Sequence, residues 1–93
     1  MTKEALLRQV QQAASVLRAQ GAREVYLFGS LAREDWQADS DVDLAVEGLP
    51  PQVFFAATAK AADLIDRPLD VISLDPPTPF TRQLRISGEL RRV

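Results

Sequence analysis

Three short runs, Glu24 to Phe28, Val42 to Val46 and Leu69 to Leu74, carry the branched and aromatic residues of strands, and the connections between them are unequal. Residues 29–40 have room for little more than one helical turn, whereas residues 47–68 can hold a whole helix. Antiparallel neighbours can be joined by a short excursion. Parallel neighbours need a crossover of roughly a dozen residues or more, usually helical. The lengths therefore permit a first strand antiparallel to the second and a third parallel to it.

Helical signals surround these runs. From Thr2 to Gln20, Leu6, Val10, Ala13 and Leu17 recur at helical spacing, and Gly21 follows as a stop. Gly29 ends the first strand, and Ser30 to Glu34 reads as a brief helical turn with Ser30 as its N-cap. Pro51 opens an Ala-rich helix expected to run to about Asp66, with Phe54, Phe55, Leu64 and Ile65 as apolar anchors, although adjacent helix positions point differently and one of the two Phe can face a partner. Asp75-Pro76-Pro77-Thr78-Pro79 can only be an extended loop, because proline lacks an N–H and disfavours helix in its predecessor. Phe80 to Ser87 then forms a last short helix ending at Gly88. The expected order is α-β-α-β-α-β-α. The class is α/β (α+β): a small mixed three-stranded sheet with flanking helices, in one domain spanning residues 1–93.

Composition removes much chemistry. The chain has no Cys and no His, so disulfides, thiolate nucleophiles, imidazole ligands and Ser-His-Asp schemes are all excluded. No apolar stretch approaches the ~20 residues of a membrane span, and no secretory leader opens the chain, so a cytoplasmic protein without membrane contact is expected. A net charge of −2 argues against direct nucleic-acid binding by bulk electrostatics. The charges are unevenly placed: six acids and no base lie between Glu34 and Glu47, while Arg82, Arg85, Arg91 and Arg92 crowd the end of the chain.

Carboxylates, hydroxyls, arginines and backbone amides remain. Asp41 and Asp43 stand two apart where a strand begins, so alternation puts both on one face. Two such anions repel unless a proton or a cation intervenes. Asp70 opens the third strand in the same way, and Gly29-Ser30 closes the first. Each feature alone has a plain reading as an exposed strand face, a strand end, or a turn. Together, in the topology above, they meet at one sheet edge, with three oxygen donors suited to Mg²⁺ or Mn²⁺ beside a turn whose amides can face a phosphate.

Gly29-Ser30, ten intervening residues and then Asp41-Val42-Asp43 resemble the G-S-x10-D-x-D signature of the DNA polymerase β-type nucleotidyltransferase superfamily. The longer run from Phe28 to Arg33 and from Ser40 to Val46 is similar to its smallest members, the minimal nucleotidyltransferases (MNT). Many of these are encoded beside a small helical HEPN-type protein as the antitoxin of a toxin–antitoxin pair. The resemblance implies a polymerase β-like nucleotidyltransferase fold. It also implies two Mg²⁺ ions held by Asp41, Asp43 and Asp70, with ATP phosphates oriented by Gly29 and Ser30. The implied reaction is AMP transfer from ATP to a hydroxyl, a tyrosine of the cognate HEPN-type toxin, with Asp70 as the base. At the C-terminus, Ile86 and Glu89 fit the I-x-x-E-G motif of minimal members, Leu90 replaces its Gly, and no Tyr follows.

Arg33 can either steer phosphate or cap its own helix, and Trp36 reads as an apolar plug of the polar excursion. Two other functions stay open. The same fold can neutralise a partner by contact with little catalysis. A D-x-D phosphatase or sugar transferase is the third reading, although a phosphatase pair is expected at the C-terminal end of its strand, and this pair begins one.

Overall fold

The computed structural model describes residues 2–33, 36–37 and 39–93. Glu34, the expected end of the short helical turn, and Asp35 of the acidic run lie outside the described residues. The elements are α1 (Lys3–Ala19), β1 (Glu24–Phe28), α2 (Ser30–Arg33), β2 (Val42–Glu47), a 3-10 turn (Pro51–Val53), α3 (Phe54–Ala62), β3 (Leu69–Ser73), α4 (Pro79–Ser87) and β4 (Arg91–Arg92).

Helix α1 forms because its start is capped and its apolar stripe has somewhere to go. The Thr2 hydroxyl accepts from the Ala5 N–H at 3.1 Å, and the stripe Leu6, Val10, Ala13 and Leu17 is completely buried. It packs against α3, which presents Ala57 and Ala61, and against β1. Small residues on α3 let the two helices approach closely. Beneath them, Val25 and Leu27 of β1 and Val42, Leu44 and Val46 of β2 complete the same core. Each fully buried Leu or Val there contributes roughly 1.5–3 kcal/mol relative to exposure.

The sheet order is β3-β2-β1-β4. Strand β1 is antiparallel to β2 and β3 is parallel to it, the arrangement the unequal connections allow. The three-stranded expectation needs correction, because Arg91–Arg92 adds a fourth, two-residue strand antiparallel to β1. Two adjacent arginines show no apolar alternation, so sequence pattern gives no sign of it. The edge is held by Arg92 Nε donating to Glu24 Oε2 at 2.9 Å and by the Val93 N–H donating to the Val25 carbonyl at 3.0 Å.

Two helix boundaries also differ. The Ala-rich helix begins as a 3-10 turn at Pro51 and ends at Ala62, so Leu64 and Ile65 lie beyond it; Ile65 is buried all the same. Phe54 packs against the core, but Phe55, its neighbour on the helix, turns outward and is 82% exposed rather than a core anchor. Helix α4 is closed by reciprocal hydrogen bonds between Thr78 and Thr81, starts on Pro79 and stops at Gly88 in the left-handed region. Leu84 and Thr81 are its buried side chains, and Arg85 Nη2 donates to Glu47 Oε2 at 2.7 Å, tying it to the end of β2. Among the described residues no helix is long and apolar enough to cross a membrane.

Candidate active site

The site is assembled by strand register. Phe28, the last residue of β1, faces Asp43, and Asp43 faces Asp70 of β3. In-register neighbours on parallel strands point to the same side, so the Asp43 and Asp70 side chains share a face, with backbones about 4.8 Å apart. Asp41 stands just ahead of β2, and the Val42 N–H donates to the Pro68 carbonyl at 3.0 Å, which aligns the starts of β2 and β3. Asp41 and Asp70 are exposed, whereas Asp43 is half-buried between them.

Gly29 follows Phe28 directly and has φ +77°, a left-handed conformation. Its carbonyl accepts from the N–H groups of both Ala32 and Arg33 at 3.1 Å, which starts α2. Ser30 is therefore the first residue of that helix rather than its N-cap, since the Gly29 carbonyl accepts the first helical bonds. A Cβ on Gly29 would run into Asp43 Oδ2 and come within 3.2 Å of Asp43 Cγ. The glycine thus leaves the space that this carboxylate occupies.

The electrostatics agree with that crowding. Burial raises the Asp43 carboxyl above its ordinary range, the charges of Asp70 and then Asp41 push it further, and Arg33 opposes them. Sequence reasoning left Arg33 between two roles; its charge acts on Asp43, which makes it part of this site. Trp36 packs at the margin of the core as expected for a plug, and its buried indole N–H meets no acceptor among the described residues.

These donors fit a hard divalent cation in kind: they are oxygens, they share an edge, and their mutual repulsion is relieved by positive charge. Among the described residues no three carboxylates form a ready-made cage. Magnesium does not require one, since it usually keeps several waters and takes one or two carboxylates together with substrate phosphates.

A family model described as "Polymerase beta, Nucleotidyltransferase" matches residues 11–90. The chain belongs to this nucleotidyltransferase family. Nucleotidyl transfer is accordingly its enzyme class, and the mixed sheet with its flanking helices is the family's fold. A solved minimal nucleotidyltransferase is 25% identical, with a TM-score of 0.80 over 100% of this chain and 97% of the other. A toxin–antitoxin structure with AMP-PNP is 21% identical, with a TM-score of 0.70 over 91% of this chain and 69% of its own. A structure of a tri-AMPylated Shewanella oneidensis HEPN toxin in complex with MNT antitoxin is 20% identical, with a TM-score of 0.67 over 94% and 70%. At those last two identities the likeness is one of fold. Among curated proteins none matches the chain at a significant level.

Proposed function

We propose that this nucleotidyltransferase moves AMP from ATP to a protein hydroxyl, a tyrosine of a HEPN-type toxin, and so acts as an antitoxin. The observation that carries the reading is the Phe28–Asp43–Asp70 register, which brings the Gly-Ser turn against the acidic trio. Structural neighbours that are toxin–antitoxin complexes, one of them AMPylated, support the choice of acceptor. A net charge of −2 also favours a protein over a nucleic acid as acceptor.

In this reading Asp41 and Asp43 would hold the metal that travels with the triphosphate, and Asp70 would share a second position. Two Mg²⁺ ions, when bound, lower the pKa of an attacking hydroxyl and offset charge on the leaving pyrophosphate. The amides at Gly29 and Ser30 would orient the β- and γ-phosphates, leaving the α-phosphorus open to in-line attack. Asp70 would take the acceptor's proton as its oxygen bonds to phosphorus and the bond to pyrophosphate breaks. Arg33, beside Asp43, would balance phosphate charge.

The test is intact-mass spectrometry of a HEPN-type partner after incubation with the chain and Mg-ATP. We expect the partner to gain the mass of one or more AMP groups, and Asp43→Asn to abolish that gain while preserving the fold. A partner that is neutralised with no added mass would overturn the transfer mechanism and leave neutralisation by contact.

A further inference from the structure

Of the three site carboxylates, Asp70 is the one least held by the sheet itself. Asp43 lies on β2, which has a neighbour on each side, whereas β3 is an edge strand bonded to β2 alone. Where Asp70 stands is therefore set by how the chain enters β3. That entry is the loop of residues 63–68, whose buried side chain is Ile65.

The next residue is gripped from outside the sheet. Gln9 of α1 donates from Nε2 to Asp66 Oδ2 at 3.1 Å, and its Oε1 accepts from the Asp66 N–H at 3.0 Å. A side-chain amide carries a donor and an acceptor together, which is what the carboxylate and the N–H of one aspartate require. Among the described residues no other side-chain hydrogen bond reaches this loop. Two residues on, the Pro68 carbonyl accepts from the Val42 N–H at 3.0 Å, and two further on Asp70 faces Asp43. Little freedom separates these points, because the ring fixes φ at Pro68 and disfavours helix in Arg67. On the other side Gln9 precedes Val10, which like Leu6 is completely buried, so the grip comes from a firmly packed turn of α1.

We propose that Gln9 is a positioning residue for Asp70: by clamping Asp66 it fixes the start of β3 and so keeps the third carboxylate level with Asp43. The inference rests on the place given to Asp70 in the reaction above. It gives α1, which supplies no group to the site, a part in setting it. Because Gly29, Asp41 and Asp43 are held by other elements, loss of the clamp should leave them where they are.

Amide hydrogen exchange of the full chain, free of metal and nucleotide, tests the clamp. The Val42 N–H on the Pro68 carbonyl and the Leu74 N–H on the Val46 carbonyl, at 3.0 and 2.8 Å, report the two ends of the β2–β3 pairing. Gln9→Glu keeps the helix propensity of α1 but sets a carboxylate against that of Asp66. It should speed exchange at Val42 at least about fivefold more than at Leu74. Adding Asp66→Asn, whose amide donates where Gln9 did, should restore the wild-type ratio. In AMP transfer from Mg-ATP to a HEPN-type partner, Gln9→Glu should lower kcat and raise the Mg²⁺ concentration that gives half the maximal rate, with KM for Mg-ATP unchanged. The double variant should recover both. A simple loss of folded molecules lowers kcat without moving that midpoint. Equal acceleration at Val42 and Leu74, no acceleration, or no rescue overturns the proposal, and so does a loosened Val42 with kcat and the Mg²⁺ midpoint unmoved. A wild type that transfers no AMP while the exchange pattern holds would instead overturn the acceptor reading and leave the clamp standing.

Discussion

Replacing Gly29 by alanine should damage the fold in two separable ways, and a second glycine in the same molecule isolates them. Gly29 and Gly88 have nearly the same φ, +77° and +73°. An L-residue in that region costs roughly 1–2 kcal/mol, and a part of it is returned because alanine restricts the unfolded chain by about 0.4–1 kcal/mol. Both contributions act at each site, since both glycines have a positive φ. At Gly88 a Cβ meets nothing within 4 Å, whereas at Gly29 it collides with Asp43 Oδ2 and lies 3.2 Å from Cγ. The Asp43 side chain must then turn aside, at a cost of about 0.5–1.5 kcal/mol if it is driven off a staggered rotamer. Urea unfolding should therefore place Gly29→Ala about 1 kcal/mol below Gly88→Ala. In an Asp43→Ala background there is no carboxylate to displace, so the excess should vanish and leave a coupling of about 1 kcal/mol. Equal losses at the two glycines, or an excess that survives removal of Asp43, would refute the close approach.

Other perturbations follow from the same geometry. Because the folded Asp43 carboxyl titrates above its ordinary value of 3.8, the native state binds the extra proton in that window. Asp43 accordingly contributes most below that value, and the contribution is lost as pH rises through its folded pKa; Asp43→Asn, which cannot titrate, should gain stability relative to wild type across that rise in chemical denaturation. Glu47 behaves oppositely. Hydrogen bonds from Arg85 and then Arg23 hold its carboxyl below its ordinary value of 4.5, so its contribution is full above that value and lost as pH falls through the folded pKa. Arg85→Ala should remove most of that pH dependence, cost no more than about 1 kcal/mol as a surface pair, and speed hydrogen exchange in α4 more than in α1. Leu17→Ala, inside the core, should cost about 2–5 kcal/mol by thermal or urea unfolding, whereas Phe55→Ser, which loses only an edge contact with the Phe54 ring, should cost no more than about 1 kcal/mol.

How far the sequence reaches depends on which force sets each feature. The stripe from Leu6 to Leu17 was legible because burial selects for periodicity, and all four of its residues are fully buried. The directions of β1, β2 and β3 were permitted by connection length, which is a matter of chain geometry, and the structure has them. Placing Asp43 beside Asp70 required only that topology together with the starting positions of the two strands. What escaped is set by tertiary contact alone. Strand β4 exists because Arg92 and Val93 find partners on β1, and nothing local in two arginines foretells pairing. Phe54 and Phe55 are identical residues side by side, and only the docking of α3 on α1 decides which one turns inward. Ser30 was misplaced by one position because the helix already starts from the Gly29 carbonyl, and a glycine carries no side-chain oxygen to signal a cap.

The acidic trio can be probed without any acceptor. Amide resonances of the chain would be recorded with ATP while Mn²⁺ replaces Mg²⁺ in small steps, so that paramagnetic broadening maps the ion. We expect signals of Gly29, Ser30, Asp41, Asp43 and Asp70 to vanish first, those of Gly48 and Asp75 at the other end of the sheet to stay sharp, and Asp43→Asn to abolish the pattern. Broadening centred away from Asp43, or unchanged by that substitution, would contradict a metal–nucleotide site built on these three carboxylates.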